Sequence, residues 1–183
     1  MLTLIIVLIV GVLLVLFITI LIYKAVYKKV PPDAALIVSN SKGRKVYFSS
    51  KAINPFTSNT QKVFLNTIKL VVERKGLETL VTKNDARRNV TVEFFVKVQP
   101  EEEDVLTAAE SLGEKPITPE NVKELLEGKL INALRIVAQN MTSADLDDNQ
   151  QKFQSALEEA CKDDLKENGF TIENISITHL AHP

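Results

Sequence analysis

The sequence predicts an α+β fold, with an N-terminal transmembrane helix followed by a domain whose mostly antiparallel sheet is packed by helices. Three observations carry this expectation. Residues 2–23 contain no charged side chain and only two threonines, and at the helical rise they span roughly 33 Å, enough for a hydrocarbon core of about 30 Å. Residues 89–98 alternate Val90, Val92, Phe94, Val96 and Val98 with Thr91, Glu93, Phe95 and Lys97, the period of a strand with one buried face. Residues 118–140 carry apolar side chains three and four apart behind a helix start signal.

In chain order, residues 1–29 read as a membrane anchor with a basic flank and residues 30–180 as the domain. A cleaved secretory signal needs a positive charge before a shorter apolar run and a small-residue exit site. Residues 2–22 hold no Lys or Arg, and Ala25 stands between Lys24 and Val26. The helix is therefore expected to be retained. Lys24, Lys28 and Lys29 all lie on its C-terminal flank, so the positive-inside bias places that flank in the cytoplasm, with Tyr23 and Tyr27 in the interfacial belt.

Pro31 and Pro32 stop the helix and favour extended backbone. Residues 34–38 then read as a short strand, 39–43 as a turn and 45–48 as the returning strand. Residues 51–59 are irregular around Pro55. Strand character returns over 63–72, with Ile68, Leu70 and Val72 on one face, and again over 77–82. After the strand at 89–98, Glu101, Glu102, Glu103 and Asp104 favour a helix N-terminus that closes at Gly113. Thr118 caps the next helix with Pro119 at its first position, and Val122, Leu125, Leu126, Leu130, Ala133, Leu134 and Val137 form its core stripe to about Asn140. A further helix starts near 145–149, buries Phe153, Leu157, Cys161 and Leu165, and ends at Asn168-Gly169. Residues 170–180 close as a strand whose apolar phase slips near Glu173-Asn174, the mark of a bulge.

Composition narrows the function. Residues 1–30 hold three of the 22 basic residues and none of the 23 acidic ones, leaving 19 against 23 and a formal charge of −4. A nucleic-acid partner calls for the opposite balance. The single cysteine, Cys161, excludes an intrachain disulfide framework. Its register in an apolar stripe favours packing over acylation. Sequons at Asn89, Asn140 and Asn174 go unused on the cytoplasmic side. No residue pattern marks an enzyme, a metal site or a cofactor site. His179 and His182 stand at the tail without a nucleophile at a readable spacing, and no glycine-rich phosphate loop occurs. Asp145-x-Asp147-x-Asn149 imitates the start of a calcium loop, but Gln150 and Ala156 stand where glycine and a bidentate glutamate are required. A solvated helix start is the better reading.

Two surfaces are candidates for contact. Lys42, Arg44 and Lys45, with Lys51 close by, precede Ile53, Pro55 and Phe56. Together with Lys24, Lys28 and Lys29, these cations can meet acidic headgroups while Ile53 and Phe56 dip into the interface. The alternative is that the two apolar side chains fold back onto the sheet. Exposed charges on the helical stretch, Lys115, Lys123, Glu124, Glu127 and Lys129, are candidates for self-assembly or simply a solvated face.

The order of segments, an anchor, VPPDAALIV, a glycine hairpin, LVVERKGLETLVTKNDARRNVTVEFFVKVQP, SLGEKPITPENVKELLEGKLINALR and DLKENGFTIENISITHL, resembles the flotillin-like branch of the stomatin, prohibitin, flotillin and HflK/C superfamily, whose shared unit is the SPFH, or band 7, domain. The likeness covers roughly residues 24–180. It implies a non-enzymatic scaffold of the inner membrane, single-pass with a cytoplasmic domain, that forms homo-oligomers side by side and organises membrane microdomains. The alternative it implies is a regulatory subunit of a membrane-bound protease. The partners are then the lipid bilayer, further copies of the chain, and a membrane protease or other membrane client, with no nucleic acid and no cofactor. The C-terminal coiled coil expected for the family is absent from this sequence, which reads as truncated. The family's arginine before Phe153 is also missing from Asn149-Gln150-Gln151-Lys152-Phe153.

Overall fold

The computed structural model describes residues 2–41, 43–53, 58–113 and 115–181, and only the backbone of residues 2–7, Ala25 and Lys28. The chain divides into two units, Met1–Lys62 and Val63–Pro183.

The first unit opens with α1 (Leu2–Val26), where the charge-free run predicts a helix. Every described side chain from 8 to 24 is exposed, the large apolar ones by 45–65 %. Among the described residues no helix is long and apolar enough to cross a membrane. The backbone helix itself is 25 residues long. It passes directly into β1 (Tyr27–Lys28). β2 (Ala34–Asn40) and β3 (Gly43–Tyr47) form the expected hairpin, Asn40 opposite Gly43. Gly43 has φ +120°, a conformation open to glycine. β4 (Lys51–Ala52) pairs with β1, and β5 (Asn59–Phe64) completes a sheet of order β3-β2-β5. β2 buries Ala34, Ala35, Leu36, Ile37 and Val38 in succession; both faces of this central strand are covered. Leu36, Val38 and Ile53 form one core cluster, flanked by Val30 and Tyr47.

The second unit is built on β8 (Arg87–Lys97), which pairs antiparallel with β6 (Ile68–Arg74), β7 (Leu80–Val81) and β9 (Thr171–Ala181). Val90, Val92, Phe94 and Val96 are buried, as are Ile68, Leu70 and Val72 of β6, so the period-two patterns are realised face for face. α2 (Glu102–Leu112) starts on its acidic turn and stops at Gly113. α3 (Pro119–Asn140) begins with the Asn121 amide donating to Thr118 Oγ1 at 3.4 Å. It buries the predicted stripe except for Leu125, which is half-exposed. α3 and α5 (Gln150–Lys166) pack together, α3 against β6 and β7 and α5 against β9.

Two expectations are corrected. Residues 63–72 are not one strand: the chain breaks at 65–67 because β5 joins the β2 sheet while β6 pairs with β8, and a local pattern does not report a change of partner. Residues 77–82 contribute only the two-residue β7, after a 3-10 turn over Gly76–Glu78. The helix expected to start near 145–149 is α5, and a short helix that the sequence reading did not name, α4 (Ser143–Asp148), precedes it, the two separated at Asn149 with φ −138° and ψ 65°. Asn149 caps α5 by accepting from the Lys152 amide at 3.1 Å. The bulge near Glu173 is present, and β9 has a second one at Thr178, each skipped in the register with β8. Thr67 and Lys97 bond the Glu173 carboxylate, the lysine at 2.9 Å, and these contacts hold its pKa below the usual range.

Candidate functional site

The residues singled out for membrane contact converge, in part, where α1 ends. Tyr23 and Tyr27 stand one helical turn apart and stack with ring centroids 5.7 Å apart and planes 4° off parallel. Beyond them the chain is clamped. β1 pairs antiparallel with β4, Tyr27 opposite Ala52 and Lys28 opposite Lys51. The Ile53 amide donates to the Val26 carbonyl at 2.8 Å, and the Val30 amide to Ser50 Oγ at 3.2 Å. These bonds satisfy backbone groups that a helix end otherwise leaves free. They also fix the direction in which α1 leaves the unit.

Lys24, Lys29 and Lys51 are exposed around this exit, and Lys51 Nζ lies 5.2 Å from the centre of the Tyr47 ring, a cation–π contact. Arg44 and Lys45 are exposed on β3 opposite Ser39 and Val38, about 13–17 Å along the hairpin from Ala34 at the strand rise. Lys42, Pro55 and Phe56 lie outside the described residues. Of the two readings given for Ile53, its burial supports the fold back onto the sheet over insertion. It is only 6 % exposed and packs on Leu36 and Val38, where the backbone bond to Val26 holds it on the inner side of the clamp. Sequence reasoning names the lysines but misses the β1–β4 clamp, since two-residue strands carry no periodicity.

The charges proposed for self-assembly are paired within the chain. Lys115 meets Glu124 at 2.8 Å, and Lys123 meets Glu127 at 3.7 Å. Lys129 donates to the Asp164 carbonyl at 3.1 Å and lies 3.6 Å from Glu167, tying α3 to α5. Pairs this exposed contribute about 0–1 kcal/mol each.

The carboxylates of the calcium-like run each have a structural partner. Asp145 closes a capping box with Thr142, accepting from its amide at 3.0 Å and its hydroxyl at 2.7 Å; these bonds hold its carboxyl below the usual range. Asp147 pairs with Arg88 at 2.5 Å. Among the described residues no group of three His, Cys, Asp or Glu is placed to hold a metal ion.

Cys161 is 2 % exposed inside the stripe of α5. Burial first, and Asp164 second, push its thiol up to about 12. The thiolate is the reactive form, so a maleimide is expected to label the native protein at least about a hundredfold more slowly than the unfolded chain; equal rates under native and denaturing conditions contradict this packing.

The SPFH domain / Band 7 family model matches residues 28–183. Among curated proteins the chain is similar to the flotillin family inner membrane protein YqiK of Escherichia coli, with 34 % identity over 167 residues, 91 % of this chain and 30 % of that protein. It is also similar to the flotillin family inner membrane protein sll1021 of Synechocystis sp., with 27 % identity over 179 residues, 95 % of this chain and 27 % of that protein. The chain thus spans under a third of the length of these curated relatives.

Proposed function

Since the chain belongs to the SPFH domain / Band 7 family as a flotillin-like member, we propose that it is a membrane-anchored scaffold: α1 spans the inner membrane, the domain stands on the cytoplasmic side, and copies assemble side by side to organise the surrounding membrane. One observation carries the reading. The described side chains of α1 are exposed and almost wholly apolar up to Tyr23, and the first charges after that point belong to the clamped lysine and tyrosine collar. An apolar surface of this extent marks a membrane or protein contact. The 25-residue backbone helix measures about 37 Å, and the relatives are named inner membrane proteins.

Anchoring also bears on assembly. Confinement to a plane raises the effective concentration of neighbouring copies, so weak lateral contacts suffice. Side-to-side contacts between identical domains close into rings when the rotation permits.

The experiment is an alkaline carbonate wash of membranes carrying the full chain, followed by cross-linking. Wild type is expected to stay in the pellet and give a ladder of oligomers. A Leu13→Asp, Phe17→Asp variant, with two charges at about 2.5–3.5 kcal/mol each in the span, is expected in the supernatant and monomeric at the same bulk concentration. Release of the wild type by carbonate overturns the anchor. A wild type that stays bound without cross-linking overturns the scaffold.

A further inference from the structure

Resting on the anchored reading, we infer that the exit of α1 holds an anionic phospholipid in a built groove, so that the chain selects its own lipid neighbours. The groove has a volume of about 660 Å³ and is lined by Thr19, Ile20, Tyr23, Lys24, Tyr27 and Lys29. Its two ends differ in chemistry. Ile20, Lys24 and Tyr27 follow one another at helical spacing on one face, as do Thr19 and Tyr23. The Thr19 hydroxyl already donates to the Val15 carbonyl at 2.8 Å, a local back-bond, so the lower end offers hydrocarbon. The upper end offers two ammonium groups and two phenols.

That gradient matches an amphiphile with a phosphate head and an acyl tail. A free anion uses only the upper end, and an apolar ligand only the lower. The two lysines also come from different segments. Lys24 sits on the helix, whereas Lys29 follows β1, which is fixed by the β1–β4 pairing and next to the Val30–Ser50 bond. The backbone that carries the two lysines is thereby fixed before a lipid arrives, which lowers the ordering cost of binding. The Tyr23–Tyr27 stack forms a rigid wall at the depth where aromatic side chains border the headgroups.

The test reconstitutes the full chain in nanodiscs of equal parts phosphatidylglycerol and phosphatidylcholine, and counts lipids retained per chain by native mass spectrometry. Wild type is expected to retain phosphatidylglycerol preferentially, and Lys24→Gln and Lys29→Gln each to cut that preference about fivefold, the effect of one basic residue at an anionic surface. An Arg44→Gln, Lys45→Gln variant is the control for diffuse attraction and is expected to keep the preference. Equal loss in the control overturns the groove, as does an unchanged preference in the Lys24→Gln, Lys29→Gln double variant. Loss of retained lipid to excess inorganic phosphate reassigns the site to a soluble anion and overturns the lipid assignment. A carbonate wash of each sample separates the two levels: a chain that stays embedded without preference refutes this inference alone, and one that washes out refutes the anchor as well.

Discussion

Gly169→Ala is expected to destabilise the second unit by about 3–5 kcal/mol, more than any other single methyl group added to a glycine of this chain. The residue closes α5. The Gly169 amide donates to the Lys166 carbonyl at 2.9 Å and the Phe170 amide to the Leu165 carbonyl at 3.0 Å, the paired bonds of a Schellman ending with a left-handed residue between them. Gly169 has φ +76°, which costs a residue with a β-carbon about 1–2 kcal/mol. The larger part is contact. A β-carbon here collides with the Asp104 carbonyl oxygen and with the Ala108 amide nitrogen, the latter at 2.5 Å. Both atoms belong to the backbone of α2, so neither can swing aside as a side chain does. Relief requires shifting α2 or unwinding the end of α5, where Leu165 and Phe170 are buried.

Gly113→Ala provides the control, because Gly113 has φ +64° with nothing within 4 Å of the added carbon. It is expected to cost only the backbone part, about 1–2 kcal/mol. Urea unfolding in detergent, followed by far-ultraviolet circular dichroism, reads both, with α1 in the micelle as a constant background. Equal midpoints for the two variants contradict the packing of α2 on the α5 end.

Asp147→Ala is expected to cost about 2–4 kcal/mol although its own side chain is half-exposed, because the loss falls on Arg88. Arg88 lies on β8 opposite Leu80 and is 2 % exposed. Its Nη2 donates to Asp147 Oδ2 at 2.5 Å and to Ser143 Oγ, pinning α4 to the sheet. Removal of the carboxylate takes an ion-pair partner at 2.5 Å from a guanidinium that is 2 % exposed. Removal of the cation instead leaves a carboxylate that water already reaches. Arg88→Met is therefore expected to be milder than Asp147→Ala, and the double variant to recover part of the Asp147→Ala loss. The four proteins form a double-mutant cycle. Additive losses, with no recovery, show that the pair is not coupled.

The chain itself determined most of its secondary structure, because the signals involved are local. The alternation of Val90, Val92, Phe94 and Val96 needs only the pleat of one strand to become a buried face. Thr118, Pro119 and the stripe from Val122 to Val137 fix both ends and the inner side of α3 through contacts within a few residues. Gly169 is equally readable as a helix stop. The charge-free run at the N-terminus gives α1 from composition alone, and the lysines after it mark the exit.

What the sequence left open were choices of partner. The break between β5 and β6 arises because two neighbouring runs join different sheets. Ile53 has the same apolar character whether it enters lipid or a core, and the bond from its amide to Val26, with the β1–β4 clamp, decides for the core. Asp147 is indistinguishable from a solvated acid until Arg88, 59 residues earlier in the chain, is brought beside it. Periodicity encodes which side of an element is apolar. Only tertiary contacts decide what that side meets, because they join residues whose separation along the chain leaves no local trace.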